Sequence, residues 1–269
     1  MAKIVFWSPF KEAVGCTHVA VAVSSLMGIT HKSTCLLMHS NFGTKKIEAC
    51  YTLYNDLKNG DMISESSLGI SSVARLLKSN KLTPDAIQNY AKPVLKGRLD
   101  VLYGTESDSS ENKDILKDLP FIIKKANDIY DAVFIDLTKT TDEEYVKEIL
   151  ADADLVITVV NQDYIKIDEY FEKYINIDIL KNKTKLLVIG DYESKSKYNT
   201  SNLKFKYRYK DTIFAVPHNY IFADACNDGN VLDFLYKNIN ADSKDYNGFF
   251  ITQTSNIVEK IVEITKIKE

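Results

Sequence analysis

Apolar residues recur along this chain in short unbroken runs rather than in alternation. Residues 4–7, 33–38, 99–103, 132–137, 155–160, 185–189 and 212–216 are runs of this kind. That length without alternation suits a strand covered on both faces. Between the runs, apolar positions return at helical spacing over residues 20–27, 72–79, 112–129, 142–151, 168–180, 231–238 and 254–267. Strands alternating with helices predict an α/β fold, a doubly wound, mostly parallel sheet with helices on both faces. In such a sheet ligands gather beyond the carboxyl ends of the strands. Residues 10–18, 39–42, 136–141, 191–197 and 217–220 then share one rim. Residues 60–96 interrupt the alternation as a helical excursion, with helix-start signals at Ser71 and at Thr83-Pro84-Asp85. Residues 105–112 and 193–202 read as exposed loops.

Size and charge narrow the picture. A chain of 269 residues with 45% hydrophobic content fits one domain spanning residues 1–269, excursion included. A net charge of −3 removes the electrostatic footprint of a protein that binds nucleic acid over its whole surface. Cys16, Cys35, Cys50 and Cys226 form no C-x-x-C pair, and three of them lie in or beside apolar runs. Free thiols in a reducing compartment are expected, with cytoplasm as the location. No run reaches the length of a membrane-spanning helix. The apolar stretch 19–29 follows a strand and is broken by two serines, unlike a signal peptide.

The chemistry concentrates after the first strand. A phosphate-binding loop of the form G-x-x-x-x-G-K-[ST] closes backbone N–H groups round phosphate oxygens, neutralises charge with a lysine and presents a hydroxyl to Mg²⁺. In that frame Phe10 stands at the first glycine, Gly15 at the second, Cys16 at the lysine and Thr17 at the hydroxyl. Replacing the lysine by Cys16 removes a charge-assisted contact of about 1.5–3 kcal/mol. Glu12 adds like-charge repulsion, and Ala13 restricts a backbone that glycine would leave free.

In its order of landmarks the chain resembles the ParA/MinD family of deviant Walker ATPases, over nearly its whole length. The family loop K-G-G-V-G-K-T-T is matched by Lys11, Val14, Gly15 and Thr17, with His18 at its last position. Tyr130-Asp131-Ala132-Val133-Phe134-Ile135-Asp136 resembles the Walker B strand, and Ala153-Asp154-Leu155-Val156 the A-D-x-V that opens the next one. Val188-Ile189-Gly190-Asp191-Tyr192 sits where the family reads adenine with V-x-N-R. Val216-Pro217-His218, followed by Asn219, sits at its I-P segment, and Ala225 and Gly229 at its E-A-x-x-x-G. The D-x-D that ends the second strand in the family is replaced by His39 and Asn41.

The resemblance implies a P-loop NTPase-like fold of the SIMIBI type. It implies a site for ATP or ADP at Lys11, Val14, Gly15, Cys16, Thr17, His18, Asp191, Tyr192, Pro217, His218 and Asn219. Mg²⁺ would be held by Thr17 and Asp136 only where nucleotide binds. It also implies a homodimer in which Lys11 reaches the partner's nucleotide. With the lysine and the D-x-D missing, little or no hydrolysis is expected and no residue is assigned as catalytic. Among degraded-motif relatives the chain most resembles TadZ/CpaE-like pilus assembly proteins, through Leu76-Leu77, Leu82-Thr83-Pro84, 95–99 and 102–105.

Three functions follow as expectations. One is a localisation or assembly factor with a degraded nucleotide site, a dimeric scaffold with a protein partner in a pilus, secretion or partition system. Another is a partition-type ATPase binding DNA nonspecifically through the Lys204 to Lys210 patch of the basic, tyrosine-rich residues 192–210. The last is a nucleotide-free pseudoenzyme. Nucleic acid is disfavoured, because that patch reads as a solvated interaction face. His39 stands alone, paired with no nucleophile by any local motif, so it is expected in a structural or partner-contact role. In the MinD branch a terminal amphipathic helix binds membrane. Here Lys260, Lys266 and Lys268 are balanced by Glu259, Glu263 and Glu269, so packing on the sheet is expected instead of peripheral membrane contact.

Overall fold

The computed structural model of the protein describes residues 1–10, 15–53, 68–105, 110–137 and 141–267, with 110 and 111 given by their backbone alone. The strands are β1 Ala2–Trp7, β2 Cys35–His39, β3 Lys92–Leu95, β4 Leu99–Val101, β5 Ala132–Leu137, β6 Leu155–Val160, β7 Lys185–Tyr192 and β8 Ile213–Pro217. They form one sheet in the order β3-β4-β2-β5-β1-β6-β7-β8, and only the edge strand β3 runs antiparallel to its neighbour. The helices are α1 Cys16–Thr30, α2 Lys46–Ala49, α3 Ile70–Lys78, α4 Pro84–Tyr90, α5 Ser110–Ala126 and α6 Glu144–Asp152. They continue with α7 Tyr164–Glu169, α8 Thr200–Lys206, α9 Tyr220–Asn227, α10 Val231–Asn238 and α11 Tyr246–Thr265.

The sheet divides the core, and β1 shows how. Successive side chains of a strand point to opposite faces. Ile4 and Phe6 enter a cluster with Val23 and Leu26 of α1, Phe234 of α10 and Ile257 of α11. Val5 and Trp7 enter the other, with Val73 of α3, Leu119 and Ile122 of α5 and Val146 of α6. Both faces of β1 are therefore dry, which explains the unbroken apolar run. A third cluster caps the β7–β8 edge with Tyr170, Leu187, Ile189, Tyr192 and Leu203.

Several elements differ from the sequence reading. The excursion is helical through α3 and α4, where Thr83 is the N-cap expected of it and accepts the Ala86 N–H at 3.3 Å. It then ends in strand β3, because Lys92 and Pro93 pair with Val101 and Asp100, and proline is tolerated at a sheet edge. Residues 54–67 lie outside the described residues. The predicted helix 168–180 starts earlier, at the Asp163 cap, widens into a π turn at Tyr170–Tyr174 and finishes as the 3₁₀ turn Asp178–Leu180. The predicted loop 193–202 gives way to α8 at Thr200, capped by Asn199.

Helix α11 begins at Tyr246, ahead of the predicted start. Its apolar face is covered, with Ile257, Val258 and Ile261 buried against α1 and the sheet. This matches the packing read from its balanced charges. Among the described residues no helix is long and apolar enough to cross a membrane. Because the Ile261 side chain is fully buried, Ile261→Ala should cost about 2–5 kcal/mol of stability. Urea denaturation measures this, and a loss below about 0.5 kcal/mol, the range of surface substitutions, would mean the helix face is not docked.

Candidate functional site

A cavity of about 1170 Å³ opens at the carboxyl ends of the strands. Its floor is the start of α1. Gly15 holds a left-handed backbone, φ 77°, which turns the chain from loop into helix. The helix has no side-chain cap, so its first N–H groups and dipole face the cavity, a ready anion site. Gly15, Cys16, Thr17 and His18 all line this floor. Lys11 and Val14, the other loop residues of the proposed site, lie outside the described residues, as do Glu12 and Ala13.

The second feature is the end of β5. Thr17 Oγ1 donates to Asp136 Oδ2 at 2.6 Å, joining the start of α1 to the end of β5. Asp136 is 1% exposed. Burial pushes its carboxyl up, opposed by the Thr17 hydrogen bond and by charge on His39. Its Oδ1 has no hydrogen-bond partner among the described residues. A hydroxyl beside a carboxylate with a spare oxygen is a hard donor set that fits Mg²⁺. The ion would there neutralise phosphate charge. Cys16 cannot replace the lysine's charge, because a thiol is never cationic, and burial and then Asp136 push this one up and keep it neutral.

His39 has a partner that no local motif announced. It ends β2 beside Asp136 in register, and its Nε2 lies 2.9 Å from Glu48 Oε1 with both side chains buried. Glu48 Oε1 also accepts the Gly104 N–H at 2.7 Å. Gly104 is required here, since a Cβ would stand 2.8 Å from His39 Cε1. Burial alone would strip His39 of its charge. The Glu48 carboxylate outweighs it and holds the imidazole above its ordinary pKa. Burial likewise opposes charge on Glu48, yet His39 and the Gly104 N–H bring it down to about 2. His39 therefore fastens α2 to β2 and has no free nitrogen for proton transfer at Nε2.

The far wall comes from β7 and β8. Asp191 sits at a register break in β7 with φ 48°. A Cβ on Gly15 would lie 3.3 Å from its Oδ2. Asp191 Oδ1 is 3.7 Å from Nδ1 of His218. Val216, Pro217, His218 and Asn219 line the wall. The Asn219 side chain caps α9 and bonds Asn247. Tyr192 is placed elsewhere: after the register break at Asp191 it joins Leu187 and Ile189 in the third cluster and is buried there. Sequence reasoning missed the near wall, where Lys45, Lys46, Ala49 and Cys50 line the cavity. The available signal was a pair of lysines close behind a strand end already assigned to the rim.

The His39–Glu48 pair yields two measurable consequences. Removing one partner of a buried pair leaves an uncompensated charge, so His39→Ala should destabilise the protein by about 3–5 kcal/mol. Glu48 is depressed and His39 raised, so the pair's contribution is fully present between the ordinary carboxylate and imidazole values, about 4.3 and 6.5. It is lost as pH falls toward about 2, through the Glu48 value, and as pH rises through the elevated His39 value. Urea midpoints of the unaltered protein should fall from pH 6 to pH 9 more steeply than those of Glu48→Gln. Equal slopes would show that the two groups are not coupled in solution.

No protein-family profile and no curated protein matches the chain. Solved structures match it over nearly its whole length. A ParA family ATPase from Chlorobium tepidum superposes with TM-score 0.71 at 9% identity, covering 96% of this chain and 98% of that one. The septum site-determining protein MinD of Pyrococcus horikoshii, complexed with Mg-ADP, gives 0.66 at 14%, covering 98% and 99%. A protein described as a plasmid partition protein from Borrelia burgdorferi, bound to AMPPNP, gives 0.63 at 15%, again covering 98% and 99%. At these identities the likeness establishes the fold. The chain has the mostly parallel P-loop architecture of the ParA/MinD ATPases.

Proposed function

We propose that this protein is a ParA/MinD-like localisation or assembly factor, a dimeric scaffold that holds ATP or ADP with magnesium and turns it over poorly. The observation that carries the reading is the Thr17–Asp136 contact, in which Thr17 lines a cavity large enough for a nucleotide and Asp136 lies buried behind it. Poor turnover follows from Cys16 at the lysine position and from His39, committed to Glu48, where a water-activating carboxylate would stand. Its partner is a component of a pilus, secretion or partition machine, in keeping with the resemblance to TadZ/CpaE-like proteins. A DNA-binding partition ATPase would draw on residues 204–210. There Lys206 is drawn off by Asp168 at 3.4 Å and lies over the Tyr164 and Tyr207 rings.

Calorimetry on protein freed of nucleotide should show ADP and ATP binding with similar affinity, and phosphate release should stay near background. ATP binding a hundredfold tighter than ADP, or turnover that is lost in Asp136→Asn, would overturn this reading. No binding of either nucleotide would leave the protein a nucleotide-free pseudoenzyme.

If the dimer forms as the resemblance implies, Lys11 would approach its partner, and the adjacent Glu12 would let a Lys11–Glu12 pair across subunits replace part of the phosphate's neutralising role. Sedimentation of nucleotide-free protein at micromolar concentration should then show a dimer, weakened by Lys11→Glu. A monomer that dimerises only on adding ATP would make the site a nucleotide switch instead.

A further inference from the structure

The near wall of the cavity is a single helical turn with two faces. Lys46, Ala49 and Cys50 stand at i, i+3 and i+4, so they share one side, and all three line the cavity. Glu48, two residues from Lys46, faces the other way and is buried against His39 and Gly104. The turn is braced further by Cys50 Sγ on the Lys46 carbonyl at 3.2 Å and by the Val231 N–H on the Cys50 carbonyl at 3.3 Å. Its orientation is therefore fixed by a buried ion pair and a helix contact. Lys46 thus lines the cavity that the start of α1 floors, and its charge is felt by both His18 and Asp136.

We propose that Lys46 supplies the phosphate-neutralising charge that the Cys16 position lacks, reaching the polyphosphate of a bound nucleotide from the wall opposite β7 rather than from the loop. This rests on the nucleotide reading above and specifies how that site is completed. A lysine needs no fixed fork geometry to hold phosphate, since its ammonium acts as a point charge on a flexible stem. The exposed position of Lys46 lets the ammonium swing between solvent and ligand. The His39–Glu48 pair becomes a positioning device, because it holds the turn that carries the lysine.

The test is calorimetry with MgADP and with adenosine on the intact protein, comparing the unaltered chain, Lys46→Ala, Lys46→Arg and, as a control outside the cavity, Lys195→Ala. Lys46→Ala should weaken MgADP by about ten- to hundredfold, the size of a hydrogen bond to a charged group, and leave adenosine binding unchanged. Lys46→Arg should retain most of the affinity, and Lys195→Ala all of it. Adding Cys16→Lys to Lys46→Ala should recover binding. MgADP affinity unchanged in Lys46→Ala overturns the inference while leaving the nucleotide reading intact. Equal losses for MgADP and adenosine also overturn it, assigning Lys46 to cavity shape. Failure of the unaltered protein to bind either ligand overturns both.

Discussion

The buried charge at the carboxyl edge of the sheet constrains everything above it. Asp136 and Glu48 are acids with almost no exposure, and His39 is the buried base beside both of them. Isolated carboxylates at such a place are strongly disfavoured, and pairing with hydrogen bonding is what makes them tolerable. Glu48 obtains both from His39 and the Gly104 N–H. Asp136 obtains one hydrogen bond, from Thr17, and keeps an oxygen without a partner among the described residues. Glu48 Oε2 is likewise without a partner among the described residues. The two acids differ in how firmly they are paired: Glu48 has a buried ion pair and a backbone donor, whereas Asp136 has the Thr17 hydroxyl.

An aspartate at position 39, as in the pattern the chain resembles, would have put three carboxylates within one small volume. Histidine reverses the sign and lets Glu48 be drawn inward. The cost falls on chemistry, because an imidazole bound to Glu48 through Nε2 is not a free carboxylate able to orient water. The gain is mechanical. The inward Glu48 turns α2 so that its other face, with Lys46, becomes cavity wall. One residue, His39, thus both holds Glu48 inward and turns Lys46 toward the cavity.

Much of this was legible before any coordinates. The strands were clear because a central parallel strand is dry on both faces and cannot hide among alternating patterns, as Ile4 to Trp7 show. Gly15, Thr17 and Asp136 were legible through their positions relative to those strands. The edge strand β3 was not, since it is four residues long, contains Pro93 and follows two helices. The tilt of Tyr192 into the core was missed because the register break at Asp191 is a backbone event. The pairing of His39 with Glu48 was hidden for another reason. It depends on a turn after β2 whose geometry includes a left-handed Lys45, φ 48°, and no spacing rule predicts that closure.

The same wall-to-wall arrangement sets what the cavity can discriminate. Lys45 and Lys46 line the cavity, and so do Asp142, Glu143 and Asp191. Charges of both signs in one cavity offset part of each other's field. A loop lysine would sit at one end of a phosphate chain and reward every added negative charge. Mixed walls reward a ligand whose charge matches the lysine side and stops short of the acids. Under the proposed nucleotide reading, such a site would gain little from a third phosphate, and the nucleotide would act as part of the structure more than as a signal of its own hydrolysis.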